Sequence, residues 1–134
     1  RKVFNGFYSD DPTKALMHGP TVMGNALACA AALESIRLFE EEDYMSKIAR
    51  IAAMTRREMA GFGDERIKEV LIMGGCVCVE VKDPKVLEGY QQFAYEHGVF
   101  SRPFLSYMYA MVPYVIGEEE LVKVLDTMKA WFRR

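Results

Sequence analysis

Ala15-Leu16-Met17-His18-Gly19-Pro20-Thr21-Val22-Met23-Gly24-Asn25-Ala26-Leu27-Ala28-Cys29-Ala30-Ala31-Ala32 sets a turn, a hydroxyl and a helix start in quick succession. Gly19 reaches backbone angles closed to other residues, and Pro20 fixes its own φ and removes a donor, so the pair punctuates the chain. Thr21 places a hydroxyl directly after that turn. Gly24-Asn25 then reads as a helix N-terminus, with Asn25 as N-cap and an alanine-rich run behind it. A hydroxyl beside free backbone N–H groups suits an anion such as a phosphate. On local chemistry alone, a loop entering a packed helix fits the same residues.

Upstream of the turn, residues 1–22 show no sustained period. Phe4, Phe7 and Tyr8 alternate with Asn5, Gly6, Ser9, Asp10 and Asp11, a pattern unable to bury itself. Such a segment is either a mobile arm or a piece that packs on something outside it. Asp10-Asp11-Pro12-Thr13 reads as a turn, because the residue before proline avoids the helical region and aspartate caps local N–H groups.

Downstream, a helix is predicted from about Asn25 to Glu40, burying Cys29, Ala32, Leu33, Ile36 and Phe39. The acidic run Glu40–Asp43 favours the N-terminus of a second helix, about Tyr44 to Met59, through the helix dipole. Its inward face carries Tyr44, Ile48, Ile51, Ala52, Thr55 and Met59. After Asp64 the period changes. Ile67–Met73 and Cys76–Val81, separated by Gly74-Gly75, read as a strand hairpin. A helix from about Lys85 to His97 follows, stopped by Gly98. Val99–Arg102 and Tyr107–Val112 read as two short strands, and a last helix runs from about Glu118 to Arg133. The predicted class is α+β, a small antiparallel-type sheet covered by helices on one face.

The chain has 134 residues, of which 51% are apolar and 27% charged, enough for a modest globular core. With a net charge of −2 and no basic block, nothing favours nucleic acid or an anionic membrane surface. No apolar run approaches the roughly 18–20 residues of a membrane span, and the N-terminus has no signal-peptide character. A soluble cytoplasmic location is therefore expected. The opening Arg1 is expected to mark a piece of a longer protein. Cys29, Cys76 and Cys78 lack CxxC spacing and are expected to be reduced thiols in the core. No metal site is expected.

Arg102 is the most informative single residue. It lies at a predicted strand end beside Pro103, among Phe100, Phe104, Tyr107 and Tyr109. A planar guanidinium between apolar walls suits bidentate capture of a carboxylate, although a strand-end arginine also fits a surface ion pair.

Two blocks carry a family resemblance. The first runs through Tyr8–Lys14, His18-Gly19-Pro20-Thr21, Met23-Gly24-Asn25 and Leu27–Ala32. The second is Arg102-Pro103-Phe104 with Tyr107-Met108-Tyr109 and Pro113-Tyr114. Together they resemble the class III, fold-type I aminotransferases, which use pyridoxal 5′-phosphate, and cover only the C-terminal part of that family's length. Within the family the residues are most similar to the branch that serves biotin synthesis, moving an amino group from S-adenosylmethionine to 8-amino-7-oxononanoate.

The resemblance implies residues 1–22 as an arm of the large domain and dimer interface, and residues 23–134 as the C-terminal small domain. It implies that Pro20 and Thr21 contact the cofactor phosphate, reaching across a homodimer interface. Gly19, Arg102 and Tyr109 would line the substrate site, with Arg102 on the substrate carboxylate. The lysine that holds the cofactor, the acid facing its ring nitrogen and the residue stacked on the ring lie upstream in the family. Lys2 and Lys14 do not sit in the lysine's context, so no catalytic residue is assigned here and the chain alone is expected to be inactive. Two departures stand out: Ala26 where a proline is common, and Leu105-Ser106 where Gly-Lys is common. Two alternatives remain open, another class III ω-aminotransferase and a non-catalytic α+β interaction module. The partners implied are the rest of the aminotransferase chain, a second copy and small-molecule substrates.

Overall fold

A computed structural model describes residues 1–19 and 21–134. They form two compact units, Arg1–Glu41 and Glu42–Arg134.

The first unit contains helix α1 (Lys2–Phe7), a 3-10 turn at Pro12–Lys14 and helix α2 (Ala26–Glu41). The aperiodic sequence did not indicate α1. It is under two turns long, too short to show a period, and Phe4 stacks on Tyr8 at 5.4 Å between ring centroids. The expected Asp-Pro turn is present: the Asp11 carboxylate accepts from the Thr13 hydroxyl at 2.8 Å and the Thr13 N–H at 3.0 Å. Both bonds hold the Asp11 carboxyl below its ordinary range, the hydroxyl's most. Asn25 caps α2 as predicted, its Oδ1 accepting from Ala28 N–H at 2.9 Å.

The buried face predicted for α2 requires correction. None of its residues is buried, and Leu33 and Ile36 are 68% and 57% exposed. Its periodicity describes one helix, whereas burial needs a facing layer that the two short helical segments of this unit do not supply.

The second unit begins with α3 (Tyr44–Glu58), capped by Asp43, whose carboxylate accepts from Ser46 N–H at 3.3 Å. Strands β1 (Ile67–Met73) and β2 (Cys76–Val81) form the expected hairpin. Next come a 3-10 turn at Pro84–Leu87, helix α4 (Tyr90–Glu96), strands β3 (Arg102–Phe104) and β4 (Tyr107–Met111), and helix α5 (Glu118–Trp131). The strands build one antiparallel sheet in the order β1-β2-β4-β3.

Alternation along the strands sends Val77, Val79, Val81, Met108 and Ala110 into a core shared with Ile51 of α3, Tyr90 of α4 and Leu121, Leu125 and Met128 of α5. Helices cover one face, as the class predicted. Trp131 ties α5 to the 3-10 turn by donating from Nε1 to the Val86 carbonyl at 3.0 Å.

Three further expectations are corrected. The helix placed over Lys85–His97 is two pieces, because Gly89 adopts φ +84°, a left-handed angle that breaks the run. The strand placed at Val99–Arg102 begins only at Arg102, since Gly98 (φ +71°) reverses the chain after α4 and residues 99–101 serve as the connector. The cysteines are not core residues: Cys29 is exposed, and Cys76 and Cys78 are half-buried on the sheet face opposite the helices. Two-residue spacing put the latter pair on one face correctly; which face required the sheet's packing.

Candidate functional site

Arg102 opens β3 and is the Cα partner of Tyr109 on β4. Opposed residues of an antiparallel pair point to the same side, so guanidinium and phenol share a face. The row continues, Tyr109 pairing with Cys78 and Cys78 with Leu71. It crosses all four strands on the face away from the helices.

Arg102 is exposed and has no ion-pair partner among the described residues. The surface ion pair that its strand-end position could have meant is therefore not formed within them. A cleft of about 840 Å³ lies at this sheet edge, with Phe100, Arg102, Tyr109, Met111, Glu120 and Lys123 in its lining. The Glu120 carboxylate is engaged, accepting from Gly117 N–H at 2.9 Å as part of the α5 cap. Arg102 and Lys123 are the cations of the cleft. Lys123 lies over Gly98, where an added Cβ would fall 2.8 Å from its Nζ. Two cations beside apolar walls suit an organic carboxylate.

Lys123 was not singled out from the sequence. It occupies a solvent-facing position of an amphipathic helix, and only the packing of α5 brings it to this edge.

The remaining expected site residues lie in the first unit. Thr21 is exposed in the turn ahead of α2, and its hydroxyl has no hydrogen-bond partner among the described residues. Such a hydroxyl is free to donate to a phosphate oxygen. Pro20 lies outside the described residues. A Cβ added at Gly19 would meet Met23 Cε at 3.4 Å, an ordinary contact, so the turn's own packing does not demand glycine there. No group of three or more His, Cys, Asp or Glu arranged for a metal ion lies among the described residues. No helix among them is long and apolar enough to cross a membrane.

The sequence model of the family described as Aminotransferase class-III matches residues 2–132. The adenosylmethionine-8-amino-7-oxononanoate aminotransferase of Aquifex aeolicus is 33% identical over 141 residues, an alignment covering 96% of this chain and 31% of that protein. The acetylornithine aminotransferase of Methanosarcina mazei is 33% identical over 113 residues, covering 84% and 28%. Among solved structures, the adenosylmethionine-8-amino-7-oxononanoate aminotransferase of Methanocaldococcus jannaschii shares the fold at a TM-score of 0.76 and 24% identity, covering 98% of this chain and 33% of that one. The chain thus spans about a third or less of the length of these relatives. With a family match running almost from end to end and the fold shared, the chain belongs to the class III aminotransferase family.

Proposed function

We propose that this chain is the C-terminal part of a pyridoxal-phosphate-dependent aminotransferase that moves an amino group from S-adenosylmethionine to 8-amino-7-oxononanoate in biotin synthesis. The observation that carries the reading is Arg102: exposed, free of any carboxylate among the described residues, and paired with Tyr109 at the rim of a cleft. Arg102 receives the substrate carboxylate in a bidentate grip, and Tyr109 forms the wall beside it. Gly19 lines the substrate site. Thr21, with Pro20, contributes to the cofactor phosphate across the interface between two copies. Residues 1–22 serve as that arm, and residues 23–134 as the small domain.

The cofactor, when bound, supplies the carbonyl that takes up and returns the amino group. The residues of this chain bind and orient. No proton transfer is assigned to them, and the lysine holding the cofactor is assigned to the remainder of the enzyme. The chain alone is accordingly inactive.

The test is an assay of the full-length protein for amino transfer from S-adenosylmethionine to 8-amino-7-oxononanoate, run beside N-acetylornithine as donor. Turnover of the first pair supports the reading. Turnover confined to N-acetylornithine moves the protein to another ω-aminotransferase specificity, an alternative supported by the similarity to the M. mazei enzyme and by Leu105-Ser106 after the Arg-Pro-Phe segment. A full-length protein without any transamination favours the interaction-module reading.

A further inference from the structure

We propose that Ser101 and Tyr90 are positioning residues that set Arg102 and Tyr109 for the carboxylate; this rests on the carboxylate role assigned to Arg102. Tyr90 on α4 is 0% exposed and Ser101 is 5% exposed. The Tyr90 hydroxyl donates to Ser101 Oγ at 3.1 Å, and Ser101 Oγ donates to the Tyr109 carbonyl at 2.9 Å.

The direction of this chain of bonds is set by chemistry. A carbonyl only accepts, so the single Ser101 proton goes to Tyr109, and the bond between the two hydroxyls must use the Tyr90 proton. Burial pushes the Tyr90 phenol up, against the smaller opposing effect of its bond to Ser101, which keeps that proton in place. An edge-to-face contact with Trp131 (5.7 Å, 72°) holds the ring.

The relay sits where the sheet is weakest. β3 is three residues long, lies at the edge of the sheet and has Pro103, which lacks an N–H, at its centre. Its ladder alone offers few bonds to hold register. Ser101 adjoins Arg102 in the chain and binds the carbonyl of Tyr109, which is the Cα partner of Arg102. One buried hydroxyl therefore ties the backbone that carries both side chains of the candidate subsite to the α4–α5 layer. Removing it strips the Tyr90 hydroxyl of its acceptor in a buried site and takes from the Tyr109 carbonyl the donor it has besides the strand ladder, and β3 shifts to relieve them.

The experiment is steady-state kinetics on the full-length protein with 8-amino-7-oxononanoate and with its methyl ester, which lacks the charge. Ser101→Ala is expected to raise KM for the acid about tenfold, with kcat and the ester's KM within about twofold. Tyr90→Phe, which keeps the ring and removes one oxygen, is expected to raise KM for the acid about threefold and covers the case of a poorly folding Ser101→Ala. Ser101→Thr, which keeps the hydroxyl, is expected to restore most of the loss. In an Arg102→Ala background, Ser101→Ala is expected to add less than twofold, because its effect runs through that arginine.

Equal losses for acid and ester, or an undiminished loss in the Arg102→Ala background, overturn the proposal by reducing the relay to a general packing element. Normal kinetics in both relay variants, with Arg102→Ala raising KM for the acid, overturn it while leaving the Arg102 assignment standing. An Arg102→Ala protein with normal kinetics on the acid overturns the carboxylate assignment itself, and this proposal with it.

Discussion

Arg102 and Tyr109 are Cα partners across the short β3–β4 ladder, so a guanidinium and a phenol from positions seven residues apart rise side by side from one sheet face. In the proposed reading, that geometry makes the strand-end arginine half of a recognition pair. Tyr109 stands as an aromatic wall beside Arg102, and Lys123 is a second cation in the lining of the same cleft.

Arg102→Lys is expected to damage substrate binding nearly as much as Arg102→Ala. Lysine keeps the charge but loses the planar fork and one of two parallel hydrogen bonds. The expected loss in kcat/KM for the carboxylate-bearing substrate is about 2–4 kcal/mol. Thermal unfolding is expected to change little, because Arg102 is exposed and unpaired among the described residues. A normal kcat/KM in either variant of the full-length protein removes Arg102 from the substrate site.

Thr21→Ala in the full-length protein is expected to weaken cofactor retention by about 1.5–3 kcal/mol, the worth of one hydrogen bond to a charged group. A mixed dimer separates the two possible sites of action. One subunit carries Thr21→Ala; the other keeps Thr21 and is disabled at the cofactor-holding lysine. The one competent site then lies in the Thr21→Ala subunit and receives Thr21 from its partner, so it is expected to retain cofactor. Loss of cofactor from that site instead assigns Thr21 to its own subunit.

Leu105→Gly is expected to stabilise the protein. Leu105 sits in the β3–β4 turn at φ +53° and is 71% exposed. A left-handed conformation costs an L-residue about 1–2 kcal/mol, more than the roughly 0.4–1 kcal/mol by which glycine loosens the unfolded chain. The net gain is about 0.5–1 kcal/mol, read as a rise in Tm. A lower Tm shows that the leucine side chain contributes packing that outweighs its strain.

Asp64→Asn is expected to destabilise the protein at neutral pH and to lose that effect in acid. The Asp64 carboxylate accepts from Arg66 Nε at 2.6 Å and Nη2 at 2.9 Å, and from the Arg66 N–H at 2.9 Å. These bonds, the side-chain ones most, lower its pKa to about 2. A depressed carboxyl stabilises the fold above its unfolded value, near 3.8, and that contribution is lost as the pH falls toward about 2. The measurement is the difference in unfolding midpoint between the native and Asp64→Asn proteins across pH 2–7. A gap that persists unchanged to the acid end contradicts the charge-based account.

Local chemistry was enough to locate much of this molecule. The Gly74-Gly75 hairpin, the Asn25 cap, the Asp-Pro turn, the stop at Gly98 and the inward stripe of α3 each depend on neighbours within a few residues, and each is where the sequence placed it. The motifs around Gly19–Asn25 and Arg102–Phe104 likewise sufficed for the family. Three things depended on tertiary structure, because they depend on what lies opposite a residue and not beside it. The apolar stripe of α2 has no facing layer in its own unit, so its periodicity did not become burial. Cys76 and Cys78 share a face by spacing, but sheet order and helix packing decided that it was the open one. Ser101 read as part of a strand; only the approach of α4 on one side and β4 on the other made its hydroxyl the buried link between Tyr90 and the partner strand of Arg102.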